Sequence, residues 1–219
     1  MRKFVTLSVF CASFAWAALA SGSPQNANAK SEDFQKAGQA LQDMTSSDRI
    51  PHGLLNTAQC IAVVPNMTKA GFIAGGKHGD GVVSCRDSSG WSAPAFISLS
   101  GGSFGLQAGA EEARIVLLLN DEGKNELLNG NFKLGAEVVA AGPTGTGYDA
   151  STAWKKPILA YSESKGIYGG LNIEGTDLKI DHGAMKDVYG SDVAPRNVLS
   201  GSTQKPPQSQ PFISALPAK

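Results

Sequence analysis

Residues 60–86 read CIAVVPNMTKAGFIAGGKHGDGVVSCR. Two short apolar runs, 60–64 and 81–85, stand at its ends, and Pro65-Asn66 stops the first of them. A further apolar stretch at 70–75 then leads into Gly76-Lys-His-Gly-Asp80. Apolar runs of strand length flanking a glycine-rich polar segment are the pattern of a β-hairpin, with its turn predicted at 76–80. The chain has 26 glycines in 219 residues, and glycine is costly inside helices but useful in turns and bulges, so composition points the same way.

Strand-like segments continue downstream at 91–100 and 105–120. The second ends in Ile115-Val-Leu-Leu-Leu119, apolar at every position, as a central strand covered on both faces must be. Asp121 is placed to cap a brief helix through 128. Segments 133–141, 158–162, 166–171 and 178–180 read as further strands, and 183–188 as a last short helix. Upstream, Phe34, Ala37, Leu41 and Met44 recur at helical spacing, which predicts a helix over 33–44 with Ser31 as its N-cap. A second short helix follows Pro51, over 53–58. No fixed period of similar sequence recurs, which argues against a repeat architecture. The expected fold class is α+β, a predominantly antiparallel β sheet (twisted sandwich or partly closed barrel) with a few short helices.

The N-terminus reads as a signal peptide over 1–20. Arg2 and Lys3 precede an uncharged apolar stretch at 4–18, and Ala18-Leu-Ala20 offers a cleavage site. The stretch falls short of the about 20 residues of a bilayer span. Ala27-Asn-Ala29 is a second, more distant cleavage point, and the residues before Cys11 do not suit lipoprotein processing. Cleavage near Ala20 implies a periplasmic or secreted protein. Residues 21–31 are small and polar and read as a linker, 32–199 as a single domain, and 200–219, rich in Ser, Pro and Gln, as a disordered tail.

Without Cys11 the chain keeps Cys60 and Cys85, expected to form a disulfide in an oxidising compartment; two buried thiols are the alternative. The three histidines, His52, His78 and His182, are scattered without metal-ligand spacing, so no metal is expected. Removal of Arg2 and Lys3 leaves 17 basic against 19 acidic residues. That balance lacks the basic excess with which nucleic-acid binders displace counterions.

Catalytic patterns are absent from the sequence. Gly102-Ser-Phe-Gly105 lacks the spacing of a nucleophile elbow, and Gly142-Pro-Thr-Gly-Thr-Gly147 is followed by Tyr148-Asp149 rather than the Lys-Ser/Thr of a phosphate loop. Glu111 and Glu112 are adjacent, so on a strand they face opposite sides. No enzyme and no cofactor are expected. Positive charge and a turn coincide at Lys77 and His78, with Arg86 beyond and Lys69 joining if the 66–69 segment folds beside them. These four residues are the candidate lipid-headgroup site: lysine supplies a point charge, and glycine lets backbone N–H groups come close. The bland reading of the same residues is a solvated turn. Trp91, Trp154 and Tyr161 are candidates for interfacial aromatics, with core packing as the alternative.

Read in order, IAVVP (61–65), KAGFIAGG (69–76), GDGVV (79–83), GWSAP (90–94), GGSFGLQAG (101–109), LGA (134–136), AAGP (140–143), YSESKG (161–166) and GLNIEG (170–175) resemble the SYLF-domain family, over roughly 50–192. The resemblance implies a lipid-binding module without enzymatic activity. Eukaryotic members bind phosphoinositides, some members including yeast relatives bind actin, and exported bacterial members are associated with the cell envelope. No SH3 or FYVE segment accompanies the motifs here, and actin binding is not expected in a periplasmic compartment. The helix at 33–44, positional counterpart of a membrane-contacting segment in eukaryotic members, carries only Lys36 as a base. The expected function is therefore a non-enzymatic lipid-binding protein of the cell envelope, contacting anionic phospholipid at a membrane surface or holding an acyl chain. The alternative is a structural or interaction protein that binds another envelope protein.

Overall fold

The computed structural model describes residues 24–71, 74–104, 109–130, 132–142, 153–165, 173, 175–190 and 193–218. The leader at 1–20 and the strand expected at 166–171 lie outside these residues. Among the described residues the architecture is one nine-stranded sheet flanked by helices, an α+β fold whose sheet curls into a half-barrel, the partly closed barrel expected rather than a sandwich of two sheets. Strands β1 (Cys60–Gly71), β2 (Ala74–Asp87), β3 (Gly90–Trp91), β4 (Ala95–Phe104), β5 (Gly109–Leu119), β6 (Phe132–Leu134), β7 (Val139–Ala141), β8 (Ile158–Lys165) and β9 (Thr176–Ile180) are arranged β6-β9-β4-β2-β1-β5-β8-β7, with β3 paired to β2. All pairings are antiparallel except β7 with β8.

The centre of the sheet is buried on both faces. Residues 60–64 and 115–119 are all fully or almost fully buried, as unbroken apolar runs require. Helix α1 (Pro24–Ser46) lies on the face that carries Phe96, and its Phe34 ring packs 5.1 Å from that of Phe96. Helix α2 (His52–Thr57) leads into β1. Helix α3 (Asp121–Asn129) approaches the opposite face, where Gly123 fits against the side chains of Leu119 and Ile158. Helices α4 (His182–Tyr189), α5 (Pro195–Leu199) and α6 (Gln210–Ala215) complete the shell.

Several local expectations are corrected. The glycine-rich segment 76–80 is no turn: it lies inside β2, paired with both β1 and β4, and the chain reverses between Gly71 and Ala74. Within it, Gly79 answers to a close approach instead. The β1 register shifts between Val63 and Thr68, and the displaced chain presses on β2. A Cβ at position 79 would meet the Val64 side chain at 2.7 Å and the Asn66 carbonyl oxygen at 2.9 Å. The residue that caps α3 is Asn120, whose Oδ1 accepts from the Gly123 N–H at 3.0 Å, rather than Asp121. The strand expected over 133–141 is two strands, β6 and β7, separated by a turn.

Both ends of the domain are longer than their composition suggested. The segment read as a linker is helical from Pro24 onward. Helix propagation costs little once a nucleus exists, and Gln25, Ala27, Ala29 and Lys30 favour it, so the helix runs on ahead of its apolar stripe. The segment read as a disordered tail contains a 3-10 turn (Pro207–Ser209) and α6, and it buries Phe212 completely and Leu216 almost so. Gly38 of α1 receives it: a Cβ there would lie 2.5 Å from the Pro211 carbonyl oxygen. Beyond α6, the Trp91 indole N–H donates to the Pro217 carbonyl at 2.8 Å. Ser, Pro and Gln dominate the count, yet two well-spaced apolar anchors are enough to dock a short helix.

Candidate functional site: a charged row on one face of the sheet

Antiparallel register sets the candidate site. Lys69 of β1 is the cross-strand partner of Lys77 on β2 and of Glu111 on β5. Lys77 is in turn the partner of Gly101 on β4. One step beyond the Ser100–Asp177 pair, Gly101 stands against Thr176 of β9. Partners in register share a face, so Lys69, Lys77, Gly101 and Thr176 form one row across four strands.

Burial makes this row chemically unusual. Lys77 is 7% exposed and Lys69 is half-buried. Taking an ammonium group out of water is costly, and two like charges placed opposite each other add to the cost. Gly101 makes room for the Lys77 stem. A side chain at 101 would begin 3.5 Å from Lys77 Cε and 3.1 Å from both the Gly175 carbonyl oxygen and Thr176 Cα. Thr176 is fully buried, and its Oγ1 has no hydrogen-bond partner. The turn before it is fixed by Gly175, at φ +72°, whose N–H donates to the Leu134 carbonyl at 2.8 Å.

Of the four residues singled out in the sequence, the sheet brings Lys69 and Lys77 together and separates the others. His78 follows Lys77 directly and so points to the opposite face, where its Nε2 lies 3.3 Å from Asp80 Oδ1 with both side chains exposed. Arg86 is roughly 30 Å further along β2. Its Nε donates to the Ala58 carbonyl at 3.0 Å, and its guanidinium stands 4.3 Å from the Trp91 ring centroid. Burial holds its pKa below the usual arginine value. Arg86 is a structural cation. Thr176 and Gly101 escaped the sequence reading because only register, invisible in a linear chain, places them beside Lys77.

The aromatics considered for a membrane interface serve packing. Trp91 is 7% and Tyr161 4% exposed, and the Trp154 indole N–H donates to Thr57 Oγ1 at 3.1 Å. Cys60 and Cys85 are direct cross-strand partners joined by a disulfide, fully buried at the far end of the β1–β2 pair. A second, open cleft of about 300 Å³ lies between α1 and the strands, lined in part by Lys36, Asn66, Glu112, Arg114 and Glu163. Its central cation is already engaged: Arg114 Nη1 is 3.0 Å from Asp43 and 3.1 Å from Glu163, which also pairs with Arg49 at 3.1 Å. This network ties the end of α1 to β5 and β8. Among the described residues no group of three or more His, Cys, Asp or Glu is arranged to hold a metal ion, and no helix is long and apolar enough to cross a membrane.

Fold and site together define an α+β domain built on a curled half-barrel sheet, with two facing lysines set into it. Residues 100–219 match the family model described as Ysc84, Las17-binding protein actin regulator, and the chain belongs to that family, the one its motif series resembles. It is similar to an SH3 domain-containing protein of Schizosaccharomyces pombe, 31% identical over 211 residues that make up 90% of this chain and 49% of the relative. It is also similar to protein YSC84 of Saccharomyces cerevisiae, 33% identical over 178 residues, or 78% of this chain and 38% of the relative. Human SH3 domain-containing YSC84-like protein 1 is 30% identical over 206 residues, covering 88% and 60% of the two chains. The chain thus spans about half the length of the curated relatives it matches.

Proposed function

We propose that this protein is a non-enzymatic lipid-binding protein of the cell envelope, contacting anionic phospholipid, or holding a lipid by its acyl chain, at the Lys69–Lys77 end of the sheet. The observation that carries the reading is the buried row itself. Two lysines meet in register there, Lys77 7% exposed and Lys69 half-buried, and lysine engages an anionic headgroup as a point charge. A non-enzymatic role is supported by the names of the family and its relatives, which describe binding and regulation rather than a reaction. The leader at 1–20 supports delivery to the periplasm or beyond after cleavage near Ala20, a compartment without actin. N-terminal sequencing of the exported protein tests that step.

Two measurements on one sample test the binding: mass spectrometry of lipid extracted from the purified protein, and cosedimentation with vesicles of equimolar phosphatidylcholine and phosphatidylglycerol against phosphatidylcholine alone. Selective pelleting with the anionic vesicles, weakened by Lys69→Gln, is the expected result. Clean protein that ignores both vesicles refutes the proposal. A second reading, a module that binds another envelope protein, is favoured by the family description as Las17-binding. A stable stoichiometric partner on size-exclusion chromatography, with no lipid bound, is its signature.

A further inference from the structure

We infer that Asn129–Gly130, at the end of α3, is a self-modification site: the Gly130 backbone nitrogen closes on the Asn129 side-chain amide, assisted by Arg196, and an acid replaces the amide. It is the single Asn-Gly pair of the sequence, and its setting prepares the reaction. Asn129 is the exposed last residue of the helix, so its side chain is open to water at an end that frays. Gly130 stands at φ +119°, and among the described residues nothing lies within 4 Å of where its Cβ would be, so no side chain shields the attacking nitrogen. The Gly130 N–H donates to the Leu127 carbonyl at 3.2 Å, the long end of the usual range, and opening that bond frees the nitrogen. Arg196 of α5 reaches across from the other side. Its Nη2 donates to the Leu128 carbonyl at 2.9 Å and to Asn129 Oδ1 at 3.2 Å. As the nitrogen adds to Cγ, negative charge gathers on Oδ1, where a guanidinium donor already in place stabilises it. The new N–Cγ bond forms, the nitrogen gives up its proton, the Cγ–Nδ2 bond breaks and ammonia leaves, closing a succinimide ring. Water then adds to a ring carbonyl and breaks its bond to the ring nitrogen: opening at Cγ gives aspartate, and opening at the Asn129 backbone carbonyl gives isoaspartate. One water is consumed and one ammonia released. Either product sets a carboxylate near Arg196, and isoaspartate also lengthens the main chain by one atom just ahead of the edge strand β6.

The test is a time course of the purified protein in warm, mildly alkaline buffer, read by tryptic peptide mapping with fragmentation that places the acid and separates aspartate from isoaspartate. Tryptic peptide 125–133 holds both Asn129 and Asn125, so the reference residue lies in the same spectrum. The expected result is acid at 129, in both isomers, while Asn125, equally exposed but followed by Glu126, remains an amide. Asn129→Gln, whose longer side chain closes a less favourable ring, should stay unmodified. Arg196→Gln should convert at 129 roughly threefold to tenfold more slowly, the worth of about one hydrogen bond. Arg196 is exposed, so this variant should melt close to the wild type. In urea, where α3 and α5 no longer meet, the wild type and Arg196→Gln should convert at equal rates, which ties the difference to the folded contact. Conversion at 129 no faster than at 125 in the folded protein overturns the site. Preferential conversion at 129 that Arg196→Gln leaves unchanged, or speeds up, overturns the part given to Arg196.

Discussion

Replacing Phe212 by alanine tests whether the last residues of the chain are part of the fold. Phe212 is fully buried in α6, which docks on α1 at Gly38. Burying an aromatic ring of this size removes on the order of 150–200 Å² from water, or about 4–5 kcal/mol at the usual area coefficient. Phe→Ala substitutions in cores cost about 3–5 kcal/mol. Because α6 is short and near a chain end, partial collapse of the site favours the lower part of that range, about 3 kcal/mol. For a domain of this size that corresponds to a fall in melting temperature of roughly 6–12 °C. Urea titration followed by far-ultraviolet circular dichroism reads the change as a lower midpoint, and Gln210→Ala, an exposed neighbour, serves as the control. A Phe212→Ala midpoint within error of the wild type would refute the reasoning, and 200–219 would then be a passive tail after all.

The same interface inverts a familiar rule. Gly38→Ala in mid-helix should gain about 1 kcal/mol from propensity, but its Cβ would meet the Pro211 carbonyl at 2.5 Å, so the variant is expected to melt below the wild type; a higher melting temperature contradicts the packing. Removing the Cys60–Cys85 bond, which links residues 25 apart, should cost roughly 3 kcal/mol by loop entropy, read as the difference between oxidised and reduced urea midpoints. The Tyr189 phenol donates to the Pro94 carbonyl, and burial raises its pKa well above the ordinary value. A group whose folded pKa is raised gives stability that is full below the unfolded value, near 10, and is lost as pH climbs toward the folded one. Tyr189→Phe should therefore flatten the decline in the urea midpoint above about pH 10, and an equally steep decline would remove Tyr189 as its source.

Strand existence was legible wherever apolar residues clustered, as at 60–64 and 115–119, because burial on both faces leaves no polar position to confuse the reading. Turn placement at 76–80 was not. Glycine there reflects pressure from the displaced β1 chain rather than chain reversal, and the two uses of glycine look alike in one dimension. The tail misled for a related reason: composition averages over a segment, while Phe212 and Leu216 act as individual anchors. For the site, the lysines were visible as residues but their pairing was not. Two of the four candidates, His78 and Arg86, failed on geometry: a one-residue step turns His78 to the other face, and β2 is long enough to carry Arg86 to its far end. Thr176 drew no attention because a threonine in a strand is ordinary until its hydroxyl is found without a partner.

The docking of α6 on α1 also bears on the order of events during synthesis. Among the described elements the first helix is covered by the last, so that face of α1 stays open while the strands between them emerge from the ribosome. Contacts that join the two ends of a chain form late, after the greatest entropy of closure. An unfinished chain therefore keeps the Gly38 face of α1 uncovered until the residues around Phe212 have been made.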